Sequence, residues 1–189
     1  GRTIVAPDLV GHGASGVPAE PWSMERVIDS IGLMIESLGW ERYGLLGYSM
    51  GGRIAFSFAI TQPPGLSALI GIGVNPGLSS ASDRQERVRA DRALADRLLE
   101  LGVRDFLEEW AATPLIRTQE NIPKPWRDTM SKGRQQHRAE GLAASLCGHG
   151  TGAMEPIWSK LSECDVPTLL LAGSADTKFV ELGERMAEL

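Results

Sequence analysis

The sequence predicts an α/β fold in which a mostly parallel sheet carries helices on both faces and a helical cap is inserted between two strands. Short apolar and β-branched runs alternate with amphipathic helical patterns, which is typical of parallel sheets. The strand pattern then disappears between residues 76 and 161, where the sequence becomes helical and rich in charges. We therefore expect a core formed by residues 1–75 and 162–189 and a cap formed by residues 76–161.

The first part of the chain alternates between strand and helix patterns. A strand is predicted at residues 3–6, before a glycine-rich turn. Residues 24–38 place apolar side chains at three- and four-residue steps, and Ser23 and Gly39 are suited to the two ends of a helix. The patterns that follow are a second strand, a helix and a third strand, at residues 43–47, 50–60 and 68–73.

After the cap, a buried strand is predicted at residues 166–173, and a further helix begins at Phe179. The longest apolar runs in the sequence are the length of strands. They are far shorter than the ~18 residues that a membrane-spanning helix needs, so no membrane span is predicted.

Composition excludes several functional classes. The chain has 189 residues, which fits one domain, and 19 Lys and Arg against 24 Asp and Glu give a net charge of −5. Such a chain has no basic surface for nucleic acid. Cys147 and Cys164 lack a Cys-x-x-Cys spacing, so the sequence indicates neither a disulfide framework nor a zinc site, and we expect a reducing, cytoplasmic location.

The sharpest motif is Gly47-Tyr48-Ser49-Met50-Gly51, a G-x-S-x-G between a predicted strand and a predicted helix. At such a turn Ser49 is a candidate nucleophile or base, and the glycines on either side are expected to allow close backbone approach. The backbone N–H of Met50, at the helix N-terminus, is a candidate oxyanion donor. A glycine-rich turn that contains serine by chance is the alternative, but the strand before it and the helix after it favour the catalytic interpretation.

Asp176, just past the strand at residues 166–173, is the candidate acid that would orient an imidazole. Aspartate after Gly-Ser also favours a simple turn, and only the presence of Ser49 makes the catalytic role preferable. No histidine follows Asp176. Three histidines precede it, His12, His137 and His149. Each of them is expected to be solvated or structural. Either the triad histidine lies beyond residue 189 or the triad does not work.

Arg53 lies on the first turn of the helix after Ser49, where a guanidinium can bind a substrate carboxylate through two hydrogen bonds. Most arginines of the cap alternate with acidic residues and are expected on a solvated helix face.

Residues 11–16 also match a dinucleotide-binding fingerprint, but residues 17–21 contain two prolines where a helix must begin, which argues against a nucleotide site. No metal or cofactor is expected.

Segments along nearly the whole chain resemble one branch of the α/β-hydrolases, the menaquinone-pathway 2-succinyl-6-hydroxy-2,4-cyclohexadiene-1-carboxylate synthases. The G-x-S-x-G motif is shared by many hydrolases, so the resemblance depends on further segments. These are Gly52-Arg53 and residues 75–78, 84–91, 106–110, 141–146, 150–152 and 176–179.

The resemblance implies an α/β-hydrolase fold whose reaction is an elimination. Pyruvate leaves 2-succinyl-5-enolpyruvyl-6-hydroxy-3-cyclohexene-1-carboxylate after a proton is abstracted from a ring carbon. The resemblance further implies that Ser49 is the triad-activated base and Asp176 the triad acid. The substrate-binding residues that it implies are Arg53, Arg87, Arg134, Tyr48 and Trp110. The partner is then a small-molecule polycarboxylate, and the reaction needs no cofactor.

The chain begins at the strand before Gly-His-Gly and ends before the Gly-His segment of that family. We therefore expect a fold truncated at both termini, inactive in isolation and poorly folded. Two other functions stay open: a serine hydrolase of esters or carbon–carbon bonds with Ser49 as a covalent nucleophile, and a non-catalytic binding module. Fold alone does not decide between them.

Overall fold

A computed structural model describes the backbone of residues 1–189 and every side chain except those at positions 114 and 115. The chain forms two compact units. The first comprises Gly1–Trp22 and Arg89–Gly148, and the second comprises Ser23–Val88 and His149–Leu189. These units divide the chain at other positions than the expected cap boundaries, which stay a prediction.

The secondary structure follows the predicted alternation from residue 24 onward. The strands are β1 (Tyr43–Tyr48), β2 (Leu66–Ile72) and β3 (Thr168–Leu171). The α-helices are α1 (Met24–Leu38), α2 (Met50–Ala59), α3 (Ala81–Ala111), α4 (Pro114–Arg117), α5 (Lys124–Gln135), α6 (Ala139–His149) and α7 (Thr177–Ala187). Short 3-10 helices occupy Thr118–Asn121 and Trp158–Glu163. Helix α3 is interrupted at Gly102, whose φ of 73° and ψ of 169° are not helical.

The sheet of the second unit is parallel, with β2 between β1 and β3. Tyr48 of β1 is level with Ile72 of β2, and Ile72 is level with Leu171 of β3. The carboxyl ends of the three strands therefore meet at one edge, which is where parallel α/β sheets place their functional loops. The predicted α/β class is confirmed.

Helix α1 has the ends that the sequence predicts. The Ser23 hydroxyl accepts a hydrogen bond from the backbone N–H of Arg26, and Gly39 terminates the helix with a left-handed φ of 63°. Ile35 of α1 packs with Tyr43 and Phe58, so the helix covers the start of β1 and the end of α2.

Apolar burial fixes α2 against the sheet. Phe56 and Leu69 are almost fully buried in one cluster with Ala55 and Ala59, and each of the two large side chains stabilises the fold by about 2 kcal/mol. Residues from the end of the chain complete this cluster, and they are Ile157, Leu161 and Met186. Helix α2 is therefore firmly packed, and the turn at Ser49, which leads into this helix, is fixed with it.

The first unit has its own apolar core, which joins α3 to α6. Its buried members are Ala95, Leu98, Phe106 and Ala143. The backbone of the glycine-rich loop near the N-terminus lies against the backbone of α6: a Cβ on Gly11 would lie 2.6 Å from the carbonyl oxygen of Gly141. Glycine is needed at this contact because any side chain would separate the two backbones.

The predicted strand at residues 3–6 is wrong. This segment has no strand conformation, and its side chains are exposed. A β-branched sequence becomes a strand only where a neighbouring strand pairs with its backbone, and no described strand pairs with this segment.

Cys147 and Cys164 are free thiols, and no helix in the described chain is long and apolar enough to cross a membrane.

Candidate active site

Ser49 forms the sharp turn between β1 and α2. Its φ of 50° and ψ of −109° lie outside the common regions for a residue with a side chain, at a cost of about 1–3 kcal/mol. Hydrogen bonds hold this conformation on both sides. The Ser49 N–H donates to the carbonyl of Ile72 over 2.9 Å, and the Ser49 carbonyl accepts from the Arg53 N–H over 3.0 Å. Ser49 itself is exposed at the carboxyl edge of the sheet.

The glycines around Ser49 differ in what they contribute. A Cβ on Gly47 would collide with the backbone carbonyl of Gly51, and a Cβ on Gly52 would lie 2.6 Å from Val74 Cγ2. A Cβ on Gly51 would meet nothing within 4 Å. The expectation that both glycines of the motif allow close approach is therefore wrong for Gly51. The close approach needs Gly47 and Gly52, because the backbone of Gly51 lies against Gly47 while its own Cβ position faces open space.

Met50 is the first residue of α2, so its backbone N–H lies at the helix N-terminus expected for an oxyanion donor. The N–H of Ser49 is directed instead at Ile72, as part of the sheet. The assignment of Met50 as an oxyanion donor stays a prediction.

Asp176 caps the N-terminus of α7. Its carboxylate accepts from the Phe179 N–H over 3.4 Å, and its own N–H donates to the carbonyl of Gly173 over 2.9 Å. Asp176 and Ser49 both follow the carboxyl ends of parallel strands, with β2 between those strands. At about 4.8 Å between neighbours, β1 and β3 are about 10 Å apart, which suits a triad in which an imidazole lies between serine and acid. The catalytic role of Asp176 stays a prediction.

Arg53 is buried, with 9% of its surface exposed. Its Nη1 donates to the carbonyl oxygen of His149 over 2.7 Å and contacts Sδ of Met154 at 3.7 Å. A buried guanidinium needs such partners, because an unpaired charge in the interior is costly. The described contacts give Arg53 a structural role in addition to the substrate-binding role that the sequence predicts.

Two further predicted residues lie in the same unit. Tyr48, the last residue of β1, is 69% exposed. Arg87 is an exposed residue of α3, and its backbone lies against Gly152. Tyr48, Ser49, Arg53, Arg87 and Asp176 therefore all belong to the second unit.

Trp110 and Arg134 pair with each other in the first unit. The Cζ atom of Arg134 lies 4.9 Å from the centroid of the Trp110 ring, a cation–π contact, and Arg134 Nη2 donates to Oε1 of Gln119 over 2.9 Å. The predicted roles of both residues in substrate binding stay predictions.

His137 has a structural role, as expected. The Gly13 N–H donates to its Nδ1 over 3.0 Å, so this nitrogen carries no proton in the hydrogen-bonded form. Burial is the main cause that lowers the pKa of His137 below its usual value, and the nearby His12 lowers this pKa further. The carboxylate of Asp8 partly offsets both effects on the pKa.

Sequence reasoning did not anticipate the residues that hold Arg53 or the contact of Gly152 with α3. The signal in the sequence was the segment Gly150-Thr151-Gly152, in which two glycines allow a tight turn and a close backbone contact.

Known proteins of one family are similar to this chain over nearly its whole length. The alpha/beta hydrolase fold family model matches residues 1–186. The putative 2-succinyl-6-hydroxy-2,4-cyclohexadiene-1-carboxylate synthase of Bacillus subtilis (strain 168) is 36% identical over 188 residues, which cover 98% of this chain and 69% of the relative. The synthase of Serratia proteamaculans (strain 568) is 33% identical over 179 residues, which cover 94% of this chain and 69% of that relative.

Two solved structures have the same fold as this chain. MenH from S. aureus superimposes with a TM-score of 0.90 at 32% identity, over 96% of this chain and 68% of that chain. A thermophilic esterase from Thermogutta terrifontis, solved with malate bound, has a TM-score of 0.75 at 28% identity, over 96% of this chain and 65% of its own.

Proposed function

The chain belongs to the 2-succinyl-6-hydroxy-2,4-cyclohexadiene-1-carboxylate synthase family of the α/β-hydrolase fold, and from this membership we propose that it is a pyruvate-eliminating lyase of menaquinone biosynthesis. The resemblance and the fold predicted from the sequence are thereby confirmed. The proposed substrate is 2-succinyl-5-enolpyruvyl-6-hydroxy-3-cyclohexene-1-carboxylate. A cytoplasmic location is part of the same proposal.

In the proposed reaction, Ser49 removes a proton from a ring carbon. The electrons of that C–H bond form a ring double bond, and the C–O bond to the enolpyruvyl group breaks. The leaving enolate then takes up a proton to give pyruvate. Ser49 must hold alkoxide character to act as a base, which is the task of a histidine oriented by Asp176.

The observation that carries the proposal is the position of Arg53 one helical turn from Ser49. The Arg53 backbone N–H donates to the Ser49 carbonyl, and the Arg53 guanidinium donates to the His149 carbonyl, so both the backbone and the charged group of this residue are held in place. A polycarboxylate needs cationic partners in a site of low dielectric, and Arg87 from the same unit is the second proposed partner. Arginines held in this way also orient the substrate for proton transfer.

A serine hydrolase is the second candidate, because the Thermogutta terrifontis esterase shares the fold at 28% identity. Such an enzyme would use Ser49 as a nucleophile and form an acyl-serine. The two functions therefore differ in the role of one hydroxyl and in the need for cationic partners.

Pyruvate release by the full-length protein distinguishes the candidates. We expect one pyruvate for each substrate consumed, and Ser49→Ala should lower kcat by about 10³-fold or more. Ser57→Ala is the matched control on α2. The Ser57 hydroxyl is buried without a hydrogen-bond partner in the described part of the chain, so its loss should leave kcat unchanged. Rapid turnover of a neutral ester through an acyl-serine, without pyruvate release, would establish the hydrolase instead.

A further inference from the structure

Residues 149–154 form a compact turn whose first and last residues contact Arg53. The guanidinium of Arg53 donates to the His149 carbonyl over 2.7 Å and contacts Met154 Sδ at 3.7 Å. Inside the turn, the N–H groups of Ala153 and Met154 both donate to the carbonyl of Gly150 over 3.1 Å. His149 and Met154 are each 1% exposed, so the turn is closely packed.

The other side of this turn lies against the backbone of α3. A Cβ on Gly152 would lie 2.7 Å from the Val88 nitrogen, and 3.0 Å both from the Arg84 carbonyl oxygen and from the Arg87 carbonyl carbon. These neighbours are backbone atoms, which cannot move aside as a flexible side chain can. Glycine at position 152 is therefore what allows the turn to contact α3 at Arg87.

The segment that follows the turn holds the loop before α3. The Ile157 N–H donates to the carbonyl of Pro76 over 2.8 Å, and Trp158 Nε1 donates to the carbonyl of Gly77 over 2.9 Å. A Cβ on Gly77 would lie 2.6 Å from Pro156 Cα. Residues 149–158 thus contact both the loop at residues 76–77 and the beginning of α3.

We propose that the 149–154 turn sets the distance between the guanidinium of Arg53 and the backbone of Arg87, and that Gly152 is a positioning residue for substrate binding. One short turn touches both arginines, and all of these residues belong to the second unit. The inference rests on the proposed role of Arg87 in binding the polycarboxylate. In this proposal Gly152 does not touch the substrate. It acts by allowing the backbone of α3 at Arg87 to lie close to the 149–154 turn.

The test is a double-mutant cycle of Gly152→Ala and Arg87→Ala in the full-length protein, with steady-state pyruvate release as the assay. Gly152→Ala should raise KM about tenfold and change kcat less than about twofold, because it displaces a binding group and leaves Ser49 in place. In the Gly152→Ala background, Arg87→Ala should raise KM much less than in the wild type. Gly183→Ala on α7 is the control, since a Cβ there meets nothing within 4 Å, and its KM should be unchanged.

If the KM effects of the two substitutions simply multiply, the positioning role is overturned. If Arg87→Ala leaves KM unchanged in the wild-type background, the proposed role of Arg87 fails instead. Should Gly152→Ala not fold, Ala153→Gly loosens the same turn without adding atoms and removes only an exposed methyl group. It should raise KM about twofold, and an unchanged KM in this variant also overturns the inference.

Discussion

The backbone N–H of Ser49 donates a 2.9 Å hydrogen bond to the carbonyl of Ile72, so the residue that turns out of β1 is still bonded to the neighbouring strand. This bond and the first helical bond of α2 hold Ser49 at its positive φ. The strained serine is therefore supported by the sheet on one side and by the helix on the other.

Substitutions at the two motif glycines should have opposite effects on stability. Gly47→Ala should lower the free energy of unfolding by about 1–3 kcal/mol, because the added methyl collides with the Gly51 carbonyl. Gly51→Ala should be neutral or stabilise by up to about 1 kcal/mol, because it adds a helix-favouring residue in open space. Urea denaturation of the two variants measures the difference, and equal destabilisation would contradict the described geometry.

The two roles of Asp176 can be separated by substitution. Asp176→Asn should retain the cap of α7, since asparagine caps helices as well as aspartate does. Its free energy of unfolding should therefore lie within about 0.5 kcal/mol of the wild-type value. Asp176→Ala should lose about 1 kcal/mol. Both should lose most of the pyruvate release, because neither provides a carboxylate to orient an imidazole. Full activity in the asparagine variant would show that Asp176 is only a cap.

Arg53→Ala should affect both stability and substrate binding. Its loss leaves the buried His149 carbonyl without this charged donor, which should cost about 1.5–3 kcal/mol in the free energy of unfolding. KM should rise as well, provided that it is measured at a temperature where the variant is fully folded. A rise in KM with unchanged stability would mean that the described hydrogen bond contributes little to the fold.

The pH dependence of stability should report on His137. Its pKa in the folded protein is below the ordinary value of 6.5, so the unfolded chain binds more protons in that range. Stability should therefore fall as the pH drops below about 6.5 and level off once the pH is below the lowered pKa. His137→Gln keeps an acceptor for the Gly13 N–H without titrating, and its melting temperature should depend less on pH in this window. The two proteins should melt alike at pH 8, and equal losses on acidification would remove His137 as the cause.

Local chemistry explains which features were predictable. Both ends of α1 follow from Ser23 and Gly39, whose capping geometry depends only on neighbouring residues. The turn at Ser49 follows from a short motif, although the motif does not tell which of Gly51 and Gly52 needs to be glycine. Here the distinction comes from Val74, which lies on the neighbouring strand's continuation.

Features that depend on distant partners could not be predicted from the sequence. The segment at residues 3–6 has the composition of a strand, but a strand needs a partner that composition does not supply. The bond from Arg53 to His149 joins residues 96 positions apart, and no local pattern indicates it. The segment Gly150-Thr151-Gly152 indicates that some backbone approaches closely, but it does not indicate that this backbone is the one at Arg84, Arg87 and Val88 of α3.

The contact between Gly11 and Gly141 limits how this protein can evolve. Both residues already have the smallest side chain, so a methyl group gained at one position cannot be accommodated by shrinking the other. A compensating second-site change would have to move an entire segment of main chain. A single codon change at either position can therefore break the contact, and no change at the other position can restore it, so reversion at the first position is the simplest route back.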